Sequence, residues 1–201
     1  MMSRSGLSIP FVSLMLLASC AAPPETEEIR ARTALLQAQK AQADLYAPAT
    51  FKAGQQELEK AETEVVIQLS RPPAFRRFSV AQLRFQRADE VLRSALQESM
   101  NRQKELRQQV EETLREFERI GSEMERQLAE LPDKFIDKKQ IDKALDDLNS
   151  LRAEVLEIQE KLGSGDYWSA YHAASNLRVR ESLLYRETYD RVEQRMVASI
   201  H

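Results

Sequence analysis

The run AFRRFSVAQLRFQRADEVLRSALQESMNRQKELRQQVEETLREFERIGSEMERQLAEL, residues 74–131, holds no proline and a single glycine, Gly121. Apolar residues recur along it as Phe85, Ala88, Leu92 and Leu96, then Leu106, Val110, Leu114 and Phe117, then Met124, Leu128 and Leu131. Steps of three and four put such residues on one face of an α-helix. The extra four-residue step through Leu106, Val110 and Leu114 unwinds the heptad locally. The spacing predicts one continuous helix of roughly 57 residues, about 85 Å long at 1.5 Å per residue. No single short helix covers a stripe of that length, so its partners are sought on either side.

Upstream, Thr26 with Glu25, Glu27 and Glu28 suits a helix start, where carboxylates meet the positive end of the helix dipole. The first helix is expected to run to about Tyr46, with Ile29, Leu36 and Ala43 on one stripe and Leu35, Ala38 and Leu45 beside it. Tyr46-Ala47-Pro48 breaks it, because proline disfavours the helical state at Ala47 and its fixed φ suits the first turn of a new helix. The second helix places Phe51, Leu58, Ala61, Val65 and Leu69 on one face, and Pro72-Pro73 stops it.

Downstream, Pro132-Asp133 ends the long helix. A fourth helix carries Ile141, Leu145, Leu148, Leu151, Val155, Ile158 and Leu162. Gly163-Ser164-Gly165-Asp166 reads as a C-cap glycine, a turn and an N-cap aspartate. The fifth helix starts near Tyr167, with Ala170, Ala174, Leu177, Leu184, Tyr185, Tyr189, Val192 and Met196. At an offset of 90, Phe51 falls on Ile141, Leu58 on Leu148, Ala61 on Leu151, Val65 on Val155 and Phe78 on Trp168. The predicted fold is therefore all-α: elongated antiparallel helical bundles, in two three-helix units (25–105 and 106–201) sharing one long central helix, with spectrin-like connectivity. An extended coiled-coil hairpin or a short helical array remains open, although no 34-residue period of the tetratricopeptide kind is present.

The amino terminus points to an address. One cation, Arg4, precedes an uncharged stretch from Leu7 to Ser19, too short to cross a bilayer, which takes about 20 apolar residues. The following run Leu17-Ala18-Ser19-Cys20 resembles the lipobox of bacterial lipoproteins. That resemblance implies removal of residues 1–19 as a signal peptide and diacylation of the Cys20 thiol. It also implies further acylation, with chains of the palmitate class, at the new amino terminus, and a lipidated tether over 20–24. Ala21 after the cysteine, where inner-membrane lipoproteins of enteric-type bacteria carry aspartate, implies transfer to the outer membrane. Cys20 is the only cysteine, so no disulfide forms within the chain and stability must come from packing.

Leu36 to Arg107 also resembles an uncharacterised helical domain of Gram-negative envelope lipoproteins. The resemblance is carried by Ala38, Ala41 and Ala43, the Tyr46-Ala47-Pro48 break, Phe51, Leu58 and Ala61, and the series Ala81, Ala88 and Ala95 on a helix rich in Arg and Glu. In some relatives that domain precedes an OmpA-type module that binds peptidoglycan; direct wall binding is not expected of these residues, and the family supplies no catalytic residues.

Charged residues make up 30% of the chain and aromatics 6%, with 5 glycines, a composition of long solvated helices rather than of a sheet-rich enzyme. A net charge of −3 gives no electrostatic case for nucleic acid. His172 and His201 lie in no metal-ligand spacing, Asp166 and Ser169 read as cap and first-turn residues, and Asp146 and Asp147 as a solvated face. Neither a catalytic site, a metal nor a cofactor is therefore predicted. Two clusters stand out. Arg71, Arg76, Arg77, Arg84 and Arg87, interleaved with Phe75, Phe78 and Phe85, suit lipid headgroups, lipopolysaccharide phosphates or an acidic partner. Tyr167, Trp168 and Tyr171 beside the Gly-Ser-Gly turn form an interface candidate or close the end of a bundle.

These readings converge on a non-enzymatic structural or adaptor lipoprotein. It is anchored by lipid in the cell outer membrane, faces the periplasm and acts by contact with another envelope protein. The alternative is a periplasmic carrier or chaperone that holds an apolar ligand between helices. Self-association is a further expectation, since the seam from Val110 to Leu131 needs covering by the last two helices or by a second chain.

Overall fold

The structure, a computed structural model, describes residues 22–130 and 137–198, apart from the side chains at 191, 195, 196 and 198. The lipobox with Cys20, the end of the long helix at Leu131, the Pro132-Asp133 break, the Met196 side chain and His201 lie outside the described residues. The described chain is all-α: α1 (Glu25–Lys40), α2 (Ala43–Tyr46), α3 (Pro48–Leu69), a 3-10 turn (Pro73–Phe75), α4 (Ser79–Glu130), α5 (Lys138–Ser164) and α6 (Tyr167–Ala198). It divides into two compact units. The first holds α1, α3 and α4 as far as Leu96; the second holds the Ala41–Ala47 turn with α2, the rest of α4, α5 and α6. The sequence pattern puts the division at 105/106 and the turn with the first unit, whereas the long helix divides at 96/97. The turn goes with the second because its Ala41 carbonyl accepts from Ser99 and Gln103 of α4.

In the first unit α3 runs antiparallel to α4, with Glu57 paired to Arg84 and Gly54 seated on Leu92. The start of α1 lies beside the start of α4, where Gln82 donates to Glu27 at 2.7 Å. The core is made of Ala31, Leu58, Ala61, Ala81, Phe85 and Ala88, with Leu35 and Val65 packed against it. This corrects the expected face of α1. Ile29 and Leu36 are 65% and 58% exposed, whereas Ala31, Ala34 and Ala38, at steps of three and four, are buried. Small side chains let backbones approach closely, and the same economy of volume appears at Gly54, Ala81, Ala88 and Ala95 across the interface. A second correction falls at the end of α3, where Gln68 is buried and Leu69 exposed.

α1 is also shorter than expected. It stops at Lys40, and Gln42 adopts the left-handed conformation at φ 54°, uncommon for a residue with a Cβ. The Ser99 hydroxyl and Gln103 Nε2, the latter at 2.7 Å, donate to the freed Ala41 carbonyl. That pair of donors replaces the helical partners lost at the break. The long helix likewise starts later than expected, at Ser79, after the 3-10 turn.

In the second unit α6 packs on α5 in reverse direction, as the Arg180–Glu154 pair near their shared turn requires. One cluster joins Val110, Leu114 and Phe117 to Leu148, Leu151, Val155, Ile158, Ala170, Ala174 and Leu177; another joins Met124 and Leu128 to Ala144 and Val192. The seam of α4 is thus covered within the chain as far as Leu128. Asp137 starts α5 through a capping box with Gln140, and Gly165 ends it at φ 82°. Asp166 caps α6, accepting from the Ser169 N–H at 3.1 Å. On α6 the buried stripe includes two polar residues, Glu181 and Thr188, while Tyr185, expected inside, is 40% exposed.

Candidate functional site

The basic cluster sits around the connection from α3 to α4, and its five arginines do different work. Arg76 closes α3: its Nε donates to the Arg71 carbonyl at 3.0 Å and its Nη2 to the Leu69 carbonyl at 3.1 Å. A cation there also complements the negative end of the helix dipole. Arg84 pairs with Glu57 at 3.4 Å. The Lys60 hydrogen bond first, then the charges of Arg87 and Arg84, hold the Glu57 carboxyl below its usual range against the opposing effect of burial. Arg71 and Arg77 are exposed.

Gln68, which sequence reasoning missed, holds this connection together. Its Oε1 accepts the Arg77 N–H at 2.9 Å and lies 3.5 Å from Arg71 Nη1, and its Nε2 donates to Glu64 at 2.7 Å. A polar residue beside an apolar stripe carries no signal of this kind until the chain has turned back on it. Of the three phenylalanines of the cluster, Phe78 and Phe85 are buried and Phe75 lies on the surface.

The aromatic cluster is larger than the sequence suggested. Tyr46 of α2 meets Trp168 edge-on, with ring centroids 6.4 Å apart; Trp168 meets His172 at 4.9 Å, and His172 meets Tyr171 at 5.6 Å. Tyr46 was legible only as part of a helix break. Burial raises its phenol pKa, against a backbone hydrogen bond at Trp168. Tyr167 is half-buried beside this row. The row fastens the Ala41–Ala47 turn to the start of α6, which favours the end-closing role, and leaves Trp168 and His172 at the surface.

Elsewhere α6 carries Glu181, buried with its Oε1 unpartnered among the described residues. Burial, then the charge of Glu116, raises its pKa against Arg178 and Arg119. Tyr189 donates to Gln127 Oε1, and burial followed by Tyr185 pushes its pKa up to about 12. Among the described residues no group of three or more His, Cys, Asp or Glu side chains is placed to hold a metal ion, and no helix is long and apolar enough to cross a membrane. No family model, curated protein or solved structure matches the chain.

Proposed function

We propose that this chain is a non-enzymatic adaptor of the bacterial cell envelope, held by lipid on Cys20 and working through protein contacts. The observation that supports the reading is the run Leu17-Ala18-Ser19-Cys20, which resembles a lipobox and ends four residues before Pro24, shortly before α1. Acyl chains contribute about 0.8 kcal/mol per buried methylene, so two or three of them give a lasting attachment where one does not. The outer membrane, facing the periplasm, is the proposed location, following the lipoprotein resemblance and Ala21.

The contact face is proposed on α6, where Val179 and Leu183 are exposed beside Arg180, which pairs with Glu154 of α5. Apolar side chains within a polar rim are the usual makeup of a protein interface. Mass spectrometry of the mature protein from its native host tests the anchor: the expected product begins at an acylated Cys20, and an unmodified thiol still joined to residues 1–19 refutes it. Photo-cross-linking in cells from positions 179 and 183 tests the face. An envelope protein captured there, and lost on Leu183→Glu, supports the reading; cross-links that survive Leu183→Glu oppose it.

A further inference from the structure

The connection between α3 and α4 has chemistry suited to a lipid surface. Pro72, Pro73, Ala74 and Phe75 are exposed, Phe75 at 68%, and form an apolar tip bracketed by Arg71 on one side and Arg76 and Arg77 on the other. Backbone donors that pass below the headgroups into hydrocarbon lose their water. Here Pro72 and Pro73 have no N–H to lose. Phe75 donates to the Pro72 carbonyl at 2.9 Å, Arg76 to the Pro73 carbonyl at 3.3 Å, and Arg77 to Gln68 Oε1 at 2.9 Å. Val80 and Leu83, within the first five residues of α4, are exposed apolar side chains as well.

Position and charge select a membrane over another protein. Gln82 at the start of α4 is bonded to Glu27 at the start of α1, so the tip and the first residues of α1 share one end of the unit. The stretch from Cys20 to Pro24 spans at most about 14 Å even when fully extended, so a lipid on Cys20 brings a bilayer to that same end. Of the charges there, Glu25 is exposed, Glu27 is engaged by Gln82, Glu28 by Arg32, and Arg76 by backbone carbonyls. Arg71 and Arg77 remain exposed, and a guanidinium presents a planar fork that matches a phosphate.

We propose that the Arg71–Arg77 turn is a second, non-covalent contact with a glycerophospholipid surface, in which Phe75 enters the headgroup boundary while Arg71 and Arg77 bind lipid phosphates. The location rests on the anchored reading of Cys20. Two contacts on one end fix how the first unit stands on the membrane, where a lipid tether alone lets it swivel.

The test uses the full acylated chain, purified from membranes of a Gram-negative host and reconstituted in vesicles of phosphatidylethanolamine and phosphatidylglycerol. Trp168→Phe removes the only tryptophan, and Phe75→Trp or Leu36→Trp then reports one position at a time. The Phe75→Trp indole is expected to shift to the blue and lose emission to lipids brominated near the headgroup end of the acyl chain. The Leu36→Trp indole, eleven residues into α1, is expected to keep its emission. Adding Arg71→Gln and Arg77→Gln is expected to weaken the quenching at position 75. Mass spectrometry of the same preparation separates the two readings. An acylated chain whose indole at position 75 stays unquenched overturns the membrane contact and leaves the anchor intact. An unacylated chain overturns the anchor; quenching by added vesicles then still supports the tip, and its lack overturns that too.

Discussion

Gly54→Ala sets two effects of comparable size against each other. In mid-helix alanine is favoured over glycine by about 0.8–1 kcal/mol, so on helix propensity alone the change stabilises. The structure puts Leu92 in the way: a Cβ on Gly54 falls 2.6 Å from Leu92 Cγ, 2.7 Å from its Cδ2 and 3.3 Å from its backbone nitrogen. Leu92 is fully buried, so its side chain has little room to yield, and the nearby backbone atom resists a simple rotamer change. Overpacking of this kind costs about 1–3 kcal/mol, and the severity of the contact argues for the upper half. The net expectation is a loss of about 1–2 kcal/mol, or roughly 2–8 °C in melting temperature. Urea unfolding followed by far-UV circular dichroism measures it. Gly163→Ala is the control, since nothing lies within 4 Å of the added methyl; it is expected to stabilise by up to about 1 kcal/mol. In a Leu92→Ala background the clash is gone and Gly54→Ala should turn stabilising. If Gly54→Ala alone stabilises the protein by about as much as Gly163→Ala, the close α3–α4 packing described here is wrong.

Glu181→Met removes a buried carboxylate with an unpartnered oxygen and is expected to stabilise by about 1–3 kcal/mol at neutral pH. A carboxyl whose folded pKa is raised binds its proton more readily when folded, so its penalty is present at high pH and fades as pH falls through the folded value. The gap between variant and parent should therefore narrow on acidification; a gap independent of pH from 4 to 8 counts against the burial of that charge. Ser99→Ala alone is expected to cost about 0.5–1.5 kcal/mol, because Gln103 still donates to the Ala41 carbonyl, and Ser99→Ala with Gln103→Ala more than the sum of the two. Additive losses in thermal melts indicate that the carbonyl has found another donor. Arg76→Gln is expected to cost about 1 kcal/mol by releasing two carbonyls at the end of α3, and Arg77→Gln close to nothing, since only its backbone is engaged. Equal losses for both in the same denaturation assay contradict that division of roles.

Which residues were legible in advance follows a physical pattern. The 3/4 series Leu106, Val110, Leu114, Phe117, Met124 and Leu128 is buried as read, because these positions are large and apolar and all but Leu128 have a charged neighbour in sequence, leaving one face to hide. The same rule fails for Ile29 and Leu36 of α1, which are exposed; Ala38, on the adjoining stripe, is buried as expected, and Ala31 and Ala34, on neither stripe, are buried with it. An alanine series carries little hydrophobic weight, so periodicity alone does not rank it above a leucine series on the opposite side. The basic cluster was visible as composition, but its sorting into a helix cap, an ion pair to Glu57 and two exposed cations depends on which carbonyls and carboxylates the fold brings near. Tyr46 joins Trp168 only because a break at Ala41 turns the chain towards α6.

Helical character, the interruptions at Pro48 and Pro72-Pro73, and the long stripe through α4 were all readable from the chain, because helical periodicity, proline geometry and the lack of breaking residues are local properties. Which face of α1 is buried, why α1 ends at Lys40, and the turning inward of Gln68 rather than Leu69 follow only from packing. Those outcomes depend on how closely two backbones approach and on which distant donor reaches a freed carbonyl. Neither quantity exists until the helices are packed.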